Sequence, residues 1–93
     1  MKDPPKNAAE LDARLSALPQ KTRTVYAAIQ GSLYAEPGFS DVKTGHIVRS
    51  LGSELASVRG SLGHLMDEGL VHMESDGWLH TYEHDNHLRN PDD

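Results

Sequence analysis

The fold turns on residues 51–70, which read Leu51-Gly52-Ser53-Glu54-Leu55-Ala56-Ser57-Val58-Arg59-Gly60-Ser61-Leu62-Gly63-His64-Leu65-Met66-Asp67-Glu68-Gly69-Leu70. Gly52 follows the last apolar residue of one helical pattern and suits a left-handed C-terminal position. Ser53 can cap a new helix at once, its hydroxyl accepting from a first-turn amide. Leu55, Val58, Leu62, Leu65 and Met66 then recur at helical spacing, so 53–68 reads as an amphipathic helix that Gly69 stops. The result is a helix, a tight turn and a second helix.

Upstream, Ile47, Val48 and Leu51 define a short helix over 44–51, with Thr44 as its expected N-cap. Phe39 to Lys43 is either a minimal strand or a loop, and Glu36-Pro37-Gly38 breaks what precedes it. Val25, Ala28, Ile29 and Leu33 predict a helix over 20–34. Leu11, Leu15 and Leu18 predict another over 7–18, which starts at a capping box-like Asn7 and Glu10 and reaches Pro19. Residues 1–6, with two prolines and three charges, read as a disordered arm.

Downstream the period changes from helical to alternating, and 70–82 reads as a hairpin around Ser75-Asp76-Gly77. A two-residue Asp76-Gly77 turn would pair Ser75 with Trp78. A three-residue loop with Gly77 left-handed pairs Glu74 with Trp78 and puts Val71, Met73 and Leu79 on one face. The second register is preferred, and it sets His72 opposite His80. Residues 84–93 read as a polar tail.

The chain of 93 residues is one small domain, 7–83, mainly α with a small β-hairpin (α+β). Aromatics are 5% of the residues, so the core must be aliphatic. The net charge of −5 is uneven, with +2 over residues 1–23 and −7 over 53–93. No apolar run approaches the roughly 18 residues of a membrane span. No apolar stretch follows the first charges, so a secretory signal is not expected. With no cysteine there is no disulfide framework and no thiolate metal site. A cytoplasmic, nucleoid-associated location is expected.

From Leu51 to Leu62 the sequence resembles the turn and recognition helix of prokaryotic winged helix-turn-helix regulators, in its Leu-Gly, four residues, Ser-Val, three residues and Leu. The likeness continues to Gly69-Leu70-Val71, similar to the Gly-Leu-Val that opens the wing of that superfamily, and covers about residues 20–83. It implies a winged helix with an extra N-terminal helix and sequence-specific binding of double-stranded DNA as a transcriptional regulator or repressor. In that reading the 53–68 helix enters the major groove. It further implies a homodimer, with the Leu11, Leu15 and Leu18 stripe as the dimerisation element.

On the 53–68 helix the face opposite the apolar stripe holds Ser53, Ser57, Gly60 and His64, with Ser61 beside it and Arg59 on the flank. Hydroxyl, imidazole and guanidinium groups can bond phosphates or base edges. A merely solvated helix face would look the same. Lys21 and Arg23 open one helix, and Lys43, Thr44 and Arg49 flank another, so all five are candidate DNA contacts; solvated scatter is the alternative for each. Gly60 and Gly63 weaken their helix, which points to close approach by DNA or a partner helix, or simply to tolerance.

The hairpin tip departs from the superfamily, whose wings usually carry Arg or Lys there. Glu74 and Asp76 would repel a phosphate backbone. The alternative function is therefore a protein-interaction module that presents an acidic hairpin to a basic partner, such as an antagonist of a nucleic-acid-binding protein. His80, His84 and His87 would gather a metal only on a helix, so no metal site and no cofactor are expected. No nucleophile elbow, phosphate loop or acid-rich metal motif occurs, so no enzymatic activity is expected.

Overall fold

The computed structural model describes residues 2–35 and 41–89. The expected break at Glu36-Pro37-Gly38 and the end of the expected tail, with Pro91, lie outside these residues. The protein is mainly helical with a small three-stranded antiparallel sheet. Its elements are α1 (Ala8–Ser16), α2 (Gln20–Ala35), β1 (Val42–Lys43), α3 (Thr44–Leu51), α4 (Leu55–Asp67), β2 (Val71–Met73), β3 (Trp78–Thr81) and α5 (Tyr82–Asp85). Of the segment ambiguous in sequence, Phe39 and Ser40 lie outside the described residues and Val42–Lys43 forms the short strand β1. It pairs with β3, giving the order β1-β3-β2.

α2 is the spine. It packs on α3, α4 and β3, and its Val25, Tyr26, Ile29 and Leu33 enter a core with Ile47, Val58, Leu62, Leu65, Leu70 and Leu79. The hairpin takes the three-residue register: Val71 pairs Thr81, His72 pairs His80 and Met73 pairs Leu79. Odd-numbered residues of β2 and β3 face the core, and even-numbered ones face out. Two consecutive left-handed residues, Asp76 at φ 68° and Gly77 at φ 80°, close the turn.

Both helix caps expected around the central turn are absent. α3 begins at Thr44, whose hydroxyl instead donates to the Gly77 carbonyl at 2.7 Å. α4 begins at Leu55, two residues later than read, with Glu54 at the N-cap and no side-chain cap bond. Between them Gly52 takes the left-handed conformation, φ 62°, which closes α3 through bonds from its own amide and that of Ser53.

The two ends of the chain also depart from their reading. The Leu11, Leu15 and Leu18 stripe is not free to dimerise. Leu11 and Leu18 are buried in the core and Leu15 packs against it, because a domain this small completes its interior with α1. The arm is not loose either. The Lys2 amide donates to the Asp67 carbonyl at 2.9 Å, the Lys2 ammonium pairs with Glu68 at 2.9 Å, and Pro5 is fully buried. A lysine at the end of α4 offsets acids that oppose the helix dipole. Gly69, at φ +75°, admits the arm: a Cβ there would lie 2.8 Å from the Lys2 carbonyl.

Up to Arg89 the expected polar tail is folded as well. Glu83 on α5 is buried, accepts from the Tyr26 hydroxyl at 2.7 Å and pairs with Arg89 at 2.6 Å. Arg89 also bonds Asp12 on α1, and Leu88 packs on the core. Burial first, then the Glu83 carboxylate, raise the Tyr26 pKa far above its ordinary value. The phenol therefore stays a donor, which is what a buried carboxylate requires.

Candidate nucleic-acid interface

The apolar spacing of α4 buries Val58, Leu62 and Leu65 and turns Arg59, Gly60 and His64 to solvent. Ser53 is exposed in the preceding turn and Ser57 is half-buried. Ser61 differs from its reading: it is buried, because it lies one position before Leu62 on the inward flank. At both Gly60 and Gly63 an added Cβ would meet nothing within 4 Å. The fold itself therefore does not need glycine at either place.

A shallow groove runs between the starts of α3 and α4 and the hairpin turn. Lys43, Thr44, Gly45, Leu55, Arg59 and Asp76 line it, with Met73 and Gly77. Arg49 does not line it, but one guanidinium nitrogen is 3.7 Å from where a Cβ on the lining residue Gly45 would lie. Two basic residues scattered in sequence, Lys43 and Arg59, thus line one concavity, and Arg49 lies beside Gly45 at its edge. Neither N-cap residue, Lys43 of α3 or Glu54 of α4, bonds a first-turn amide through its side chain, and both helices begin at this groove. Two helix starts without N-cap side-chain bonds, beside Lys43 and Arg59, form an environment suited to anions.

The hairpin tip is less repulsive than its sequence implies. The Lys43 ammonium donates to the Asp76 carbonyl at 2.6 Å and lies 5.1 Å from the centre of the Trp78 ring. A lysine from the neighbouring strand therefore sits on the acidic turn. Lys21 and Arg23, at the start of α2, do not line the groove. Lys21 is exposed, whereas Arg23 is half-buried and donates to Gln20 at 2.9 Å. Sequence reasoning missed Leu55 and Met73 at the groove, since both were assigned to the buried face.

A second constellation lies on the outer face of the hairpin. His72 Nε2 and His80 Nε2 each stand 3.3 Å from Glu74 Oε1. The rings of the two histidines are 4.9 Å apart, and His80 Nδ1 is bonded to Asp85 on α5. Partial burial alone would lower the His80 pKa, but hydrogen bonding and charge from Asp85 and then Glu74 outweigh it and raise it above its ordinary 6.5. His84 is not part of this group. It lies edge-on to Tyr34, with ring centres 5.0 Å apart. The signal for the cluster was in the preferred register: His72 opposite His80, with Glu74 two residues along on the same face.

No helix among the described residues is long and apolar enough to cross a membrane. Compared with known proteins, the chain matches no family model, no curated protein and no solved structure.

Proposed function

We propose that this chain is a winged helix-turn-helix domain that binds double-stranded DNA as a transcriptional regulator, with α4 as the recognition helix. The order α2-β1-α3-α4-β2-β3, with β1 on the outer edge of β3, agrees with that architecture. The observation that carries the reading is the pair Lys43 and Arg59 lining the groove where α3 and α4 begin without N-cap side-chain bonds, with Arg49 beside the lining residue Gly45. A phosphate seated there would meet cations and helix-start amides together. Next along α4, Arg59, Gly60 and His64 are exposed to base edges, and the absence of a side chain at Gly60 lets a backbone come close. Asp67 and Glu68 lie at the far end of α4, so the helix would enter the groove N-terminal end first.

A gel-shift series against pooled random duplexes at low salt tests this. Retardation is expected, and Arg59→Ala should weaken it by about 1–3 kcal/mol if the guanidinium reads a base. No retardation of any duplex at low salt contradicts the proposal.

One observation favours a second reading. Leu55 and Trp78 are among the few large apolar residues left exposed, beside the exposed acids Glu74 and Asp76. Such a mixed surface suits a basic protein partner, the case in which a pull-down would succeed where the gel shift fails.

A further inference from the structure

We propose that the outer face of the hairpin binds one divalent transition-metal ion of the zinc class through His72 Nε2, His80 Nε2 and a Glu74 carboxylate oxygen. The three ligand atoms lie within 4.8 Å of one another. The β-register enforces this juxtaposition. His72 and His80 are direct cross-strand partners, and Glu74 follows His72 by two residues, so all three project from one face.

The distances fit the ion. With metal–nitrogen and metal–oxygen bonds of about 2.0–2.1 Å, neighbouring ligands of a tetrahedral site stand about 3.3 Å apart. Both imidazole-to-carboxylate separations are already 3.3 Å. The hairpin would therefore need little rearrangement to admit the ion.

The surroundings complete the arrangement. Asp85 accepts at His80 Nδ1, which leaves Nε2 for the metal and fixes the ring. A carboxylate behind a ligating imidazole is the usual outer support of such sites. Asp41 lines the same small concavity as Glu74, His80 and Asp85, adding a further negative charge. Lys2, which lines a larger concavity with Glu74, His80 and Asp85, is held on Glu68. Two imidazoles and one carboxylate suit zinc, cobalt or nickel, whereas calcium and magnesium prefer oxygen ligands alone. Three protein ligands leave a fourth position to water.

The test uses the full chain, stripped of metal by a chelator that is then removed, and titrated with zinc chloride. Calorimetry should show one ion per chain, and thermal unfolding should move upward with zinc. His72→Ala, His80→Ala and Glu74→Gln should each weaken binding at least about tenfold. Asp85→Asn should weaken it by about 10–100-fold, the usual loss for an outer partner. His46→Ala and His64→Ala, at exposed positions on α3 and α4, should leave it unchanged. Cobalt substituted for zinc should give the intense visible absorption of a tetrahedral site. Circular dichroism checks that each variant is folded, and Glu74→Gln, nearly isosteric at an exposed position, keeps the test open should a histidine variant unfold. Failure to saturate, equal affinity after replacing both His72 and His80, or two chains per ion would each overturn the proposal. These readouts involve no DNA, so they stand or fall apart from the proposed function.

Discussion

The closed ends of the chain and the open groove beside α4 use similar side chains in opposite ways. At the ends, Lys2, Arg14, Glu83 and Arg89 all point back into the protein. Arg14 alone holds Glu10 at 2.7 Å, the Glu68 carbonyl at 2.9 Å and the Asp3 carbonyl. These contacts clamp arm, α1, α4 and α5 around the core. At the groove, Arg49 and Arg59 are exposed, two helix starts lack caps, and the fold does not require the glycine at 60. Charge of the first kind secures a small domain, whereas charge of the second kind, on the proposed function, serves a ligand. Substitutions at the ends should therefore change stability but not binding, and those at the groove the reverse.

The largest expected effect lies in the clamp. Leu11→Ala should destabilise the protein by about 2–5 kcal/mol, because it empties a fully buried leucine site. Denaturant unfolding measures this; a loss below about 1 kcal/mol would mean that α1 is dispensable. Glu83→Gln comes next, at about 1–3 kcal/mol, since it weakens the bonds to Tyr26 and Arg89 in a buried setting. Its affinity for DNA should match that of the parent chain, and a parallel fall in both would blur the two regions.

Smaller effects belong to the groove. Asp76→Asn removes a negative charge from the groove rim and keeps a residue that tolerates left-handed backbone. Stability should move by no more than about 0.5 kcal/mol, while duplex binding tightens modestly. Weaker binding in a fluorescence titration would show that the Asp76 carboxylate does not repel the duplex. The smallest effect concerns His80. Its folded pKa is raised, so its contribution is complete below its ordinary value and fades as pH rises through the folded value. With chelator present, stability should decline by less than about 1 kcal/mol on going from slightly acid to slightly alkaline pH. Asp85→Asn should flatten that decline, and a slope unchanged in the variant would remove Asp85 as its cause.

What the sequence disclosed follows from which forces are local. The spacing of Val58, Leu62 and Leu65 specifies the buried face of α4, although Leu55, one turn earlier in the same pattern, is exposed. Keeping Val71, Met73 and Leu79 together selects the hairpin register, because a one-residue slip would expose them. The left-handed turn at Gly52 follows from backbone sterics alone. The misread features all depend on distant partners. Thr44 resembles a cap, but its hydroxyl is claimed by Gly77, 33 residues away. The leucines of α1 look like a docking stripe unless one knows that the core lacks a wall without them. Arg89 looks like part of a solvated tail because its ion pairs with Glu83 and Asp12 leave no periodic trace. Of the residues lining the groove, Lys43, Thr44 and Arg59 are legible in the sequence as polar side chains flanking the central turn. Its concavity, and the seating of Lys43 on the turn, come only with tertiary structure.

The central claim is that the cations of the groove meet the phosphates of a duplex, and its most direct measurement is the salt dependence of binding. The parent chain and a Lys43→Ala, Arg49→Ala, Arg59→Ala triple variant would be titrated with the same labelled pooled duplex over a series of salt concentrations. Each phosphate neutralised contributes about −0.9 to the log–log slope. The account predicts that the triple variant loses about three such contributions, while its unfolding curve stays near that of the parent. A slope identical in the two proteins, or no binding by the parent at low salt, would contradict it.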